Sequence, residues 1–233
     1  MALRFAVNEL ANLIAPVRCS GCGVQDMVLC SPCRTVLQSS SFSRVETFTV
    51  GERGIPLFIV GEYEGVRRAC LIDFKNGARR HLARLLLSGA GSWLAETLLC
   101  ESHFNHSELI PVPSSLRGKW IRGYDPPVLL AKHLAKECRD IRVTRGLRGR
   151  FAHTGGVSKV LRNPRTSLRS RPERLTRSPD NYRVRRLPPS SRVVVIDDVM
   201  VTGATLSAAM GALIRDGHHV VAAVVAARVT RSR

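Results

Sequence analysis

The sequence predicts an α/β protein: a mostly parallel sheet flanked by helices, with a small cysteine module at its front. Three observations lead there. Short apolar β-branched runs alternate with helical patterns, the rhythm of parallel strands joined by right-handed crossovers. The apolar run 193–196 ends in two adjacent carboxylates and a small-residue turn, and a helical pattern follows. Two Cys-x-x-Cys pairs stand close together near the N-terminus. A chain of 233 residues allows one large domain or a modest domain plus a small module, and 44% hydrophobic residues suit an ordinary core.

Taken in order, Leu3, Val7, Leu10 and Ile14 share one face of a short amphipathic helix. Asn8 and Glu9 interrupt that stretch and spoil a secretory apolar region. No run approaches the eighteen or more apolar residues that span a bilayer. The chain is expected to be cytoplasmic, with no membrane span.

Cys19, Cys22, Cys30 and Cys33 form two knuckles separated by seven residues. Each knuckle can turn both thiolates toward one tetrahedral ion, and four sulfurs leave no coordination position open. Structural Zn²⁺ is the expected occupant. Its ligation adds folding energy that so small a segment lacks, ~10–16 kcal/mol in zinc-finger peptides. Redox chemistry is the competing reading of one Cys-x-x-Cys pair. Two pairs this close in a chain read as cytosolic favour zinc. Cys70, Cys100 and Cys138 fall on apolar helical patterns and read as buried small hydrophobes. The predicted organisation is a helix and four-cysteine zinc module over 1–40, a polar joining segment over 39–53, and a main domain over 55–233.

Residues 63–75 carry Val66, Ala69, Cys70 and Phe74 at helical spacing, and Asn76-Gly77 stops that helix. A second helix is expected over 81–100, with Leu82, Leu85, Leu86 and Leu94 on overlapping faces. His81 is assigned no chemistry. Residues 109–113 read as a buried strand running into the loop 114–124. Asp125 then suits an N-cap, with Pro126 at the first helical position. That helix runs through Leu129, Leu130, His133 and Leu134 to near Arg139, and 141–144 is the next strand. Residues 220–227 add a further apolar strand after Gly217.

Residues 145–192 break the rhythm with arginines, glycines and prolines in no sustained period. A stretch this long is a functional lid or plain disorder, and both readings stay open for 145–190. Between 115 and 192, 21 Lys or Arg stand against 5 Asp or Glu, so 16 of the net 18 positive charges fall there. Such a field attracts pyrophosphate, nucleotides and nucleic acid without choosing among them. A solvated arginine-rich surface is the plain alternative.

The segment 193–205 (Val-Val-Val-Ile-Asp-Asp-Val-Met-Val-Thr-Gly-Ala-Thr) carries the chemistry. Ligands of open α/β sheets bind where strands end at their carboxyl side. Gly203 lets the backbone approach an anion closely. The N–H groups opening the next helix then point at that anion with the helix dipole behind them. Thr202 and Thr205 add hydroxyl donors. Asp197 and Asp198 would repel phosphate, but they suit the vicinal hydroxyls of a ribose. This combination describes a site for a phosphorylated sugar.

This segment resembles the phosphoribosyl pyrophosphate (PRPP) motif of type I phosphoribosyltransferases, with Val201 in place of one threonine. A wider resemblance covers about 10–229. The two Cys-x-x-Cys pairs, Tyr63-x-Gly65, Leu71-x-x-Phe74-Lys75, Val112-Pro113, Arg122-Gly-Tyr124 and the PRPP motif follow in the order of the ComF family. Those proteins are associated with DNA uptake in natural competence and carry a phosphoribosyltransferase-like domain. Two positions depart from the family: Pro126 replaces a glutamine, and residues 154–159 lack another, although Arg162 is in place.

The resemblance implies a type I phosphoribosyltransferase-like sheet behind the four-cysteine zinc module. It implies that Asp197 and Asp198 hold the ribose hydroxyls, directly or through Mg²⁺. Thr202, Gly203, Ala204 and Thr205 would bind the 5′-phosphate. Ser114, Ser115 and Arg117 would meet the pyrophosphate, assisted by Lys119 and Arg122. Three functions compete at this point. One is a phosphoribosyltransferase with an unidentified acceptor, and another is a non-catalytic PRPP or nucleotide sensor. The third is a helper of the DNA-uptake machinery that binds single-stranded nucleic acid through 115–192, with Trp120, Tyr124 and Phe151 as stacking candidates.

Overall fold

The computed structural model describes residues 17–39, 44–76, 79–87, 107–114, 119–120, 123–137, 141–149 and 178–230. The first elements in chain order are α1 (Ser31–Ser39), β1 (Arg44–Val50), β2 (Arg53–Ile59), α2 (Gly65–Lys75), α3 (Leu82–Leu86), β3 (Glu108–Pro111) and α4 (Pro126–Glu137). There follow β4 (Arg142–Val143), β5 (Leu147–Gly149), β6 (Tyr182–Val184), β7 (Arg192–Met200), α5 (Ala204–Arg215) and β8 (His219–Arg228). Six strands form one sheet in the order β1-β2-β8-β7-β3-β4. Within this sheet only the β1–β2 hairpin is antiparallel; every other pairing is parallel. The fold is therefore α/β, with a mixed, mostly parallel sheet flanked by helices.

Alternation along the central strands divides the core in two. Val194 and Ile196 of β7, with Val224 and Ala226 of β8, pack toward α1, α2, α3 and α4. Val193 and Val195, with Ala223 and Val225, pack toward Leu206, Ala209, Met210 and Leu213 of α5. These β7 positions are fully buried on both faces, which accounts for an apolar run without alternation in the sequence.

From Arg44 onward, the segment read as a polar joiner is structured. It supplies β1, which pairs along its whole length with β2 from Arg44↔Ile59 to Val50↔Arg53. An edge strand needs only one half-buried face, so Phe48 and Val50 face α5 while Val45, Thr47 and Thr49 face water. Its threonines and valines were the available signal. A second departure concerns β7, which does not stop at Ile196. Its pairing with β8 continues to Met200↔Arg228, so Asp197 and Asp198 lie inside the strand.

The other expected elements within the described residues are present. Asn76 caps α2 at its C-terminus, and α4 begins at Pro126 with the Leu129 N–H on the Asp125 carbonyl, 3.1 Å. The irregular stretch contributes one small antiparallel ribbon, β5 with β6. The helix expected over 81–100 is interrupted, since α3 closes at Leu86; residues 88–106, residues 150–177 and the N-terminal helix expected over 1–14 lie outside the described residues. Among the described residues, no helix is long and apolar enough to cross a membrane.

A buried arginine fastens the cysteine segment to the sheet. Arg67 of α2 is 3% exposed. Its guanidinium donates to the carbonyls of Leu86 (2.9 Å), Leu37 (3.3 Å) and Ala226 (3.5 Å). Leu86 and Leu37 lie in the last turns of α3 and α1, where carbonyls lack helical partners. Burial lowers the Arg67 pKa to about 10, which leaves it charged near neutral pH. Arg79 adds a second tie, donating to Ser20 Oγ and the Val28 carbonyl, both at 2.8 Å.

Candidate functional site

The parallel strands β7, β8 and β3 end at one rim, and a cleft of about 510 Å³ opens there. Asp197, Asp198, Thr202, Gly203 and Thr205 all line it, with Ser114 from the loop after β3. The volume falls in the range of small-molecule sites.

The turn between β7 and α5 has the geometry an anion needs. Gly203 is left-handed, φ 76°, and a Cβ there would stand 2.7 Å from Phe48. The dihedral favours glycine, and an added Cβ would have to displace the Phe48 ring. The N–H of Ala204 donates to Thr202 Oγ1 at 3.4 Å, and the first helical bond runs from Ser207 N–H to the Gly203 carbonyl at 2.8 Å. The other opening N–H groups of this twelve-residue helix have no intrahelical acceptors.

Asp197 and Asp198 do not point the same way. As consecutive residues of an extended strand, they project to opposite faces. Asp198 continues the face of Val194 and Ile196 toward α2 and lies 2.9 Å from Lys75 Nζ. Asp197 continues the face of Val193 and Val195 toward α5, and its Oδ1 accepts the Asp198 N–H at 2.8 Å. The Val199 N–H donates to Asp198 Oδ1 at 2.7 Å. Each of the two residues is 9% exposed, and both line the cleft.

Of the residues expected to meet pyrophosphate after β3, Ser114 and Lys119 are among the described ones. Ser114 Oγ donates to Asp125 Oδ1 at 2.7 Å, and Lys119 Nζ lies 2.6 Å from Asp125 Oδ2. Asp125 is 7% exposed, so its charge needs these partners. Lys119 is thus turned to an internal carboxylate and is not among the cleft-lining residues. Ser115, Arg117 and Arg122 lie outside the described residues. Of the aromatics, Trp120 is 88% exposed. Tyr124 packs against Phe74 beneath Arg80, and Phe151 lies outside the described residues.

Sequence reading gave no role to Lys75 or Tyr63, and both line the cleft. Both fall in short motifs that carry the family resemblance, but those motifs assign them no contact. Lys75 looks like an ordinary basic residue closing a helix, and only the tertiary fold sets it against Asp198.

A second site lies in the cysteine segment. The sulfurs of Cys19, Cys22, Cys30 and Cys33 all fall within 4.8 Å of one another and could hold a metal ion such as zinc. Cys30 Sγ stands 3.6 Å from both Cys19 Sγ and Cys22 Sγ. Four sulfurs at about 2.3 Å from one tetrahedral ion require separations of roughly 3.8 Å. Burial would raise the Cys19 thiol, but the N–H groups of Cys22, Cys30 and Gly21 outweigh it and lower its pKa to about 6. Burial, reinforced by Cys30 and Cys22, pushes the Cys33 thiol well up. A cation relieves that crowding by taking all four as thiolates. Cys70 is fully buried, its thiol pushed up to about 12 mainly by burial, and it behaves as core. Cys100 and Cys138 lie outside the described residues. The cysteine segment packs on α2: a Cβ on Gly21 would stand 2.6 Å from Cys33 Sγ and 2.9 Å from Val66.

No protein-family model matches the chain, and no curated protein matches it.

Proposed function

We propose that the cleft binds PRPP and that the chain is a type I phosphoribosyltransferase-like protein of the ComF family, transferring a phosphoribosyl group to an acceptor. One observation carries this reading. A left-handed glycine opens a long helix at the carboxyl end of a buried parallel strand, and two carboxylates share its cleft. In this reading the N–H groups of Ala204 and Thr205, with the Thr202 and Thr205 hydroxyls, receive the 5′-phosphate. Asp197 and Asp198 accept hydrogen bonds from the sugar hydroxyls.

Transfer breaks the bond between the anomeric carbon and pyrophosphate, which leaves with the electron pair. A nucleophilic atom of the acceptor bonds to that carbon and loses its proton to solvent. Positive charge develops on the sugar ring, and fixed carboxylates nearby stabilise it. The carboxylates are the oxygen donors that Mg²⁺ prefers, but Lys75 already neutralises Asp198. The ion would therefore enter on the ligand's own phosphates rather than in a protein cage.

Calorimetric titration of PRPP with Mg²⁺ into the zinc-loaded chain tests the reading. Saturable binding is expected, and Asp197→Asn with Asp198→Asn should abolish it. A folded wild-type chain that takes up no PRPP refutes the proposal.

A second reading, a PRPP sensor without chemistry, is favoured by Asp125. It engages Ser114 and Lys119, two donors otherwise suited to pyrophosphate. Release of pyrophosphate from bound PRPP across an acceptor screen separates enzyme from sensor. A role in nucleic-acid handling has the exposed Trp120, adjacent to Lys119, on its side. Steep salt dependence of single-stranded DNA binding, lost in Trp120→Ala, would favour it.

A further inference from the structure

We propose that Lys75 is a further ligand-binding residue of the cleft: it selects a phosphosugar with a second anionic group over one carrying only its terminal phosphate. The inference rests on the phosphosugar reading above. Lys75 ends α2, lines the cleft, and holds its Nζ 2.9 Å from Asp198 Oδ1. Asp198 is nearly buried, so its charge requires a partner. Lys75 meets that need while a third of its own side chain stays open to solvent.

Two features suited to anions therefore meet the same cleft from opposite sides of the sheet. The N-terminus of α5 lies on the face of Val193 and Val195. Lys75 belongs to α2, on the face of Val194 and Ile196. A ligand crossing the rim lays its first phosphate on the α5 N–H groups and carries its far end toward Lys75. The sugar between them passes Asp197 and Asp198.

The charge at the far end decides what the lysine does. Ribose 5-phosphate ends there in a neutral hydroxyl, which cannot draw an ammonium from a carboxylate. Its binding leaves Lys75 on Asp198. A pyrophosphate at the anomeric carbon offers several charged oxygens, the stronger partner for an ammonium. Lys75 then moves to the pyrophosphate, and Asp198 is released to accept the sugar hydroxyls. One ion-pair exchange thus couples recognition of the leaving group to exposure of the carboxylate.

Titrations of PRPP and of ribose 5-phosphate into the full zinc-loaded chain, both with Mg²⁺, test this. Wild type should prefer PRPP. Lys75→Met should weaken PRPP about ten- to a hundredfold, the loss expected for a charged hydrogen bond. Ribose 5-phosphate should weaken at least tenfold less than that, and Lys75→Arg should keep most of the preference. Because Lys75→Met strands the Asp198 carboxylate, Lys75→Met with Asp198→Asn is the second variant. It leaves the net charge of the cleft unchanged and should show the same loss of preference. Equal losses for both ligands, no loss for either, or a wild type without preference overturns the role of Lys75 alone. A wild type that binds neither ligand overturns the phosphosugar reading and this inference with it.

Discussion

The cysteine cluster and the cleft are built in opposite ways. All four sulfurs of the cluster come from one short segment, 19–33, and N–H groups of that same segment, Gly21 and Cys30 among them, donate to Cys19 Sγ. The cleft draws on residues from Tyr63 to Val229, brought together only by the parallel pairing of β3, β7 and β8. A local site is specified by spacing. A distributed site is specified by the sheet, and its charges are balanced by residues the motif does not contain. The two regions meet on α2, which packs Val66 against the cysteine segment and sets Lys75 on Asp198.

The largest expected effect comes from emptying the cysteine cluster of the metal ion, such as zinc, that it could hold. Chelation, or Cys30→Ser, should lower the melting temperature by roughly 10 °C or more. Each kcal/mol corresponds to about 2–4 °C in a chain this size, and structural zinc contributes far more than that in peptides. Metal analysis should give one zinc per chain before chelation and none after. If the melting temperature is unmoved by a chelator that strips the ion, the cluster is not part of the folded frame.

Breaking the link between the two regions comes next. Arg67→Met removes the guanidinium from three buried carbonyls. Unsatisfied buried acceptors cost about 1–3 kcal/mol each, so a loss of about 3 kcal/mol or more in urea unfolding is expected. The midpoint should fall with little change in the slope. A near-neutral result would show that α1 and the sheet hold together by packing alone.

How much of this was legible follows from the same contrast. The turn into α5 and the four cysteines were readable because each lies in one short stretch with a fixed geometric demand. Strand β1 was not, because an edge strand needs only Phe48 and Val50 inward and looks polar in sequence. The opposite projection of Asp197 and Asp198 was within reach of the two-residue strand period. It was missed because the apolar run stops at Ile196, while β7 continues to Met200. The Lys75–Asp198 and Lys119–Asp125 pairs were out of reach: each lysine had several acidic candidates, and only the tertiary fold chooses.

Gly203→Ala tests the cradle directly. The added methyl would meet Phe48 at 2.7 Å in a left-handed backbone. A left-handed L-residue costs roughly 1–2 kcal/mol, and overpacking a tight site adds typically about 1–3 kcal/mol. The expected outcome is a stability loss of about 2–5 kcal/mol in denaturant unfolding. PRPP affinity should fall as well, since relief of the clash moves the α5 N–H groups. A variant as stable as wild type would mean that Phe48 yields freely, and that the hairpin does not brace the turn.

The smallest effect is the most discriminating. Val201 lines the cleft with 48% of its surface exposed, where the resembling motif carries a hydroxyl. Val201→Thr keeps the shape and adds one donor, and at so exposed a position stability should stay within about 0.5 kcal/mol. If position 201 borders the bound phosphate, one hydrogen bond at so exposed a position contributes about 0.5–1.5 kcal/mol. PRPP should then bind roughly two- to tenfold tighter. Ribose 5-phosphate should gain by the same factor, because the hydroxyl meets the phosphate the two ligands share. A gain for PRPP alone would move position 201 to the pyrophosphate end of the cleft, beside Lys75. No gain for either would place the phosphate wholly on the α5 N–H groups and the hydroxyls of Thr202 and Thr205.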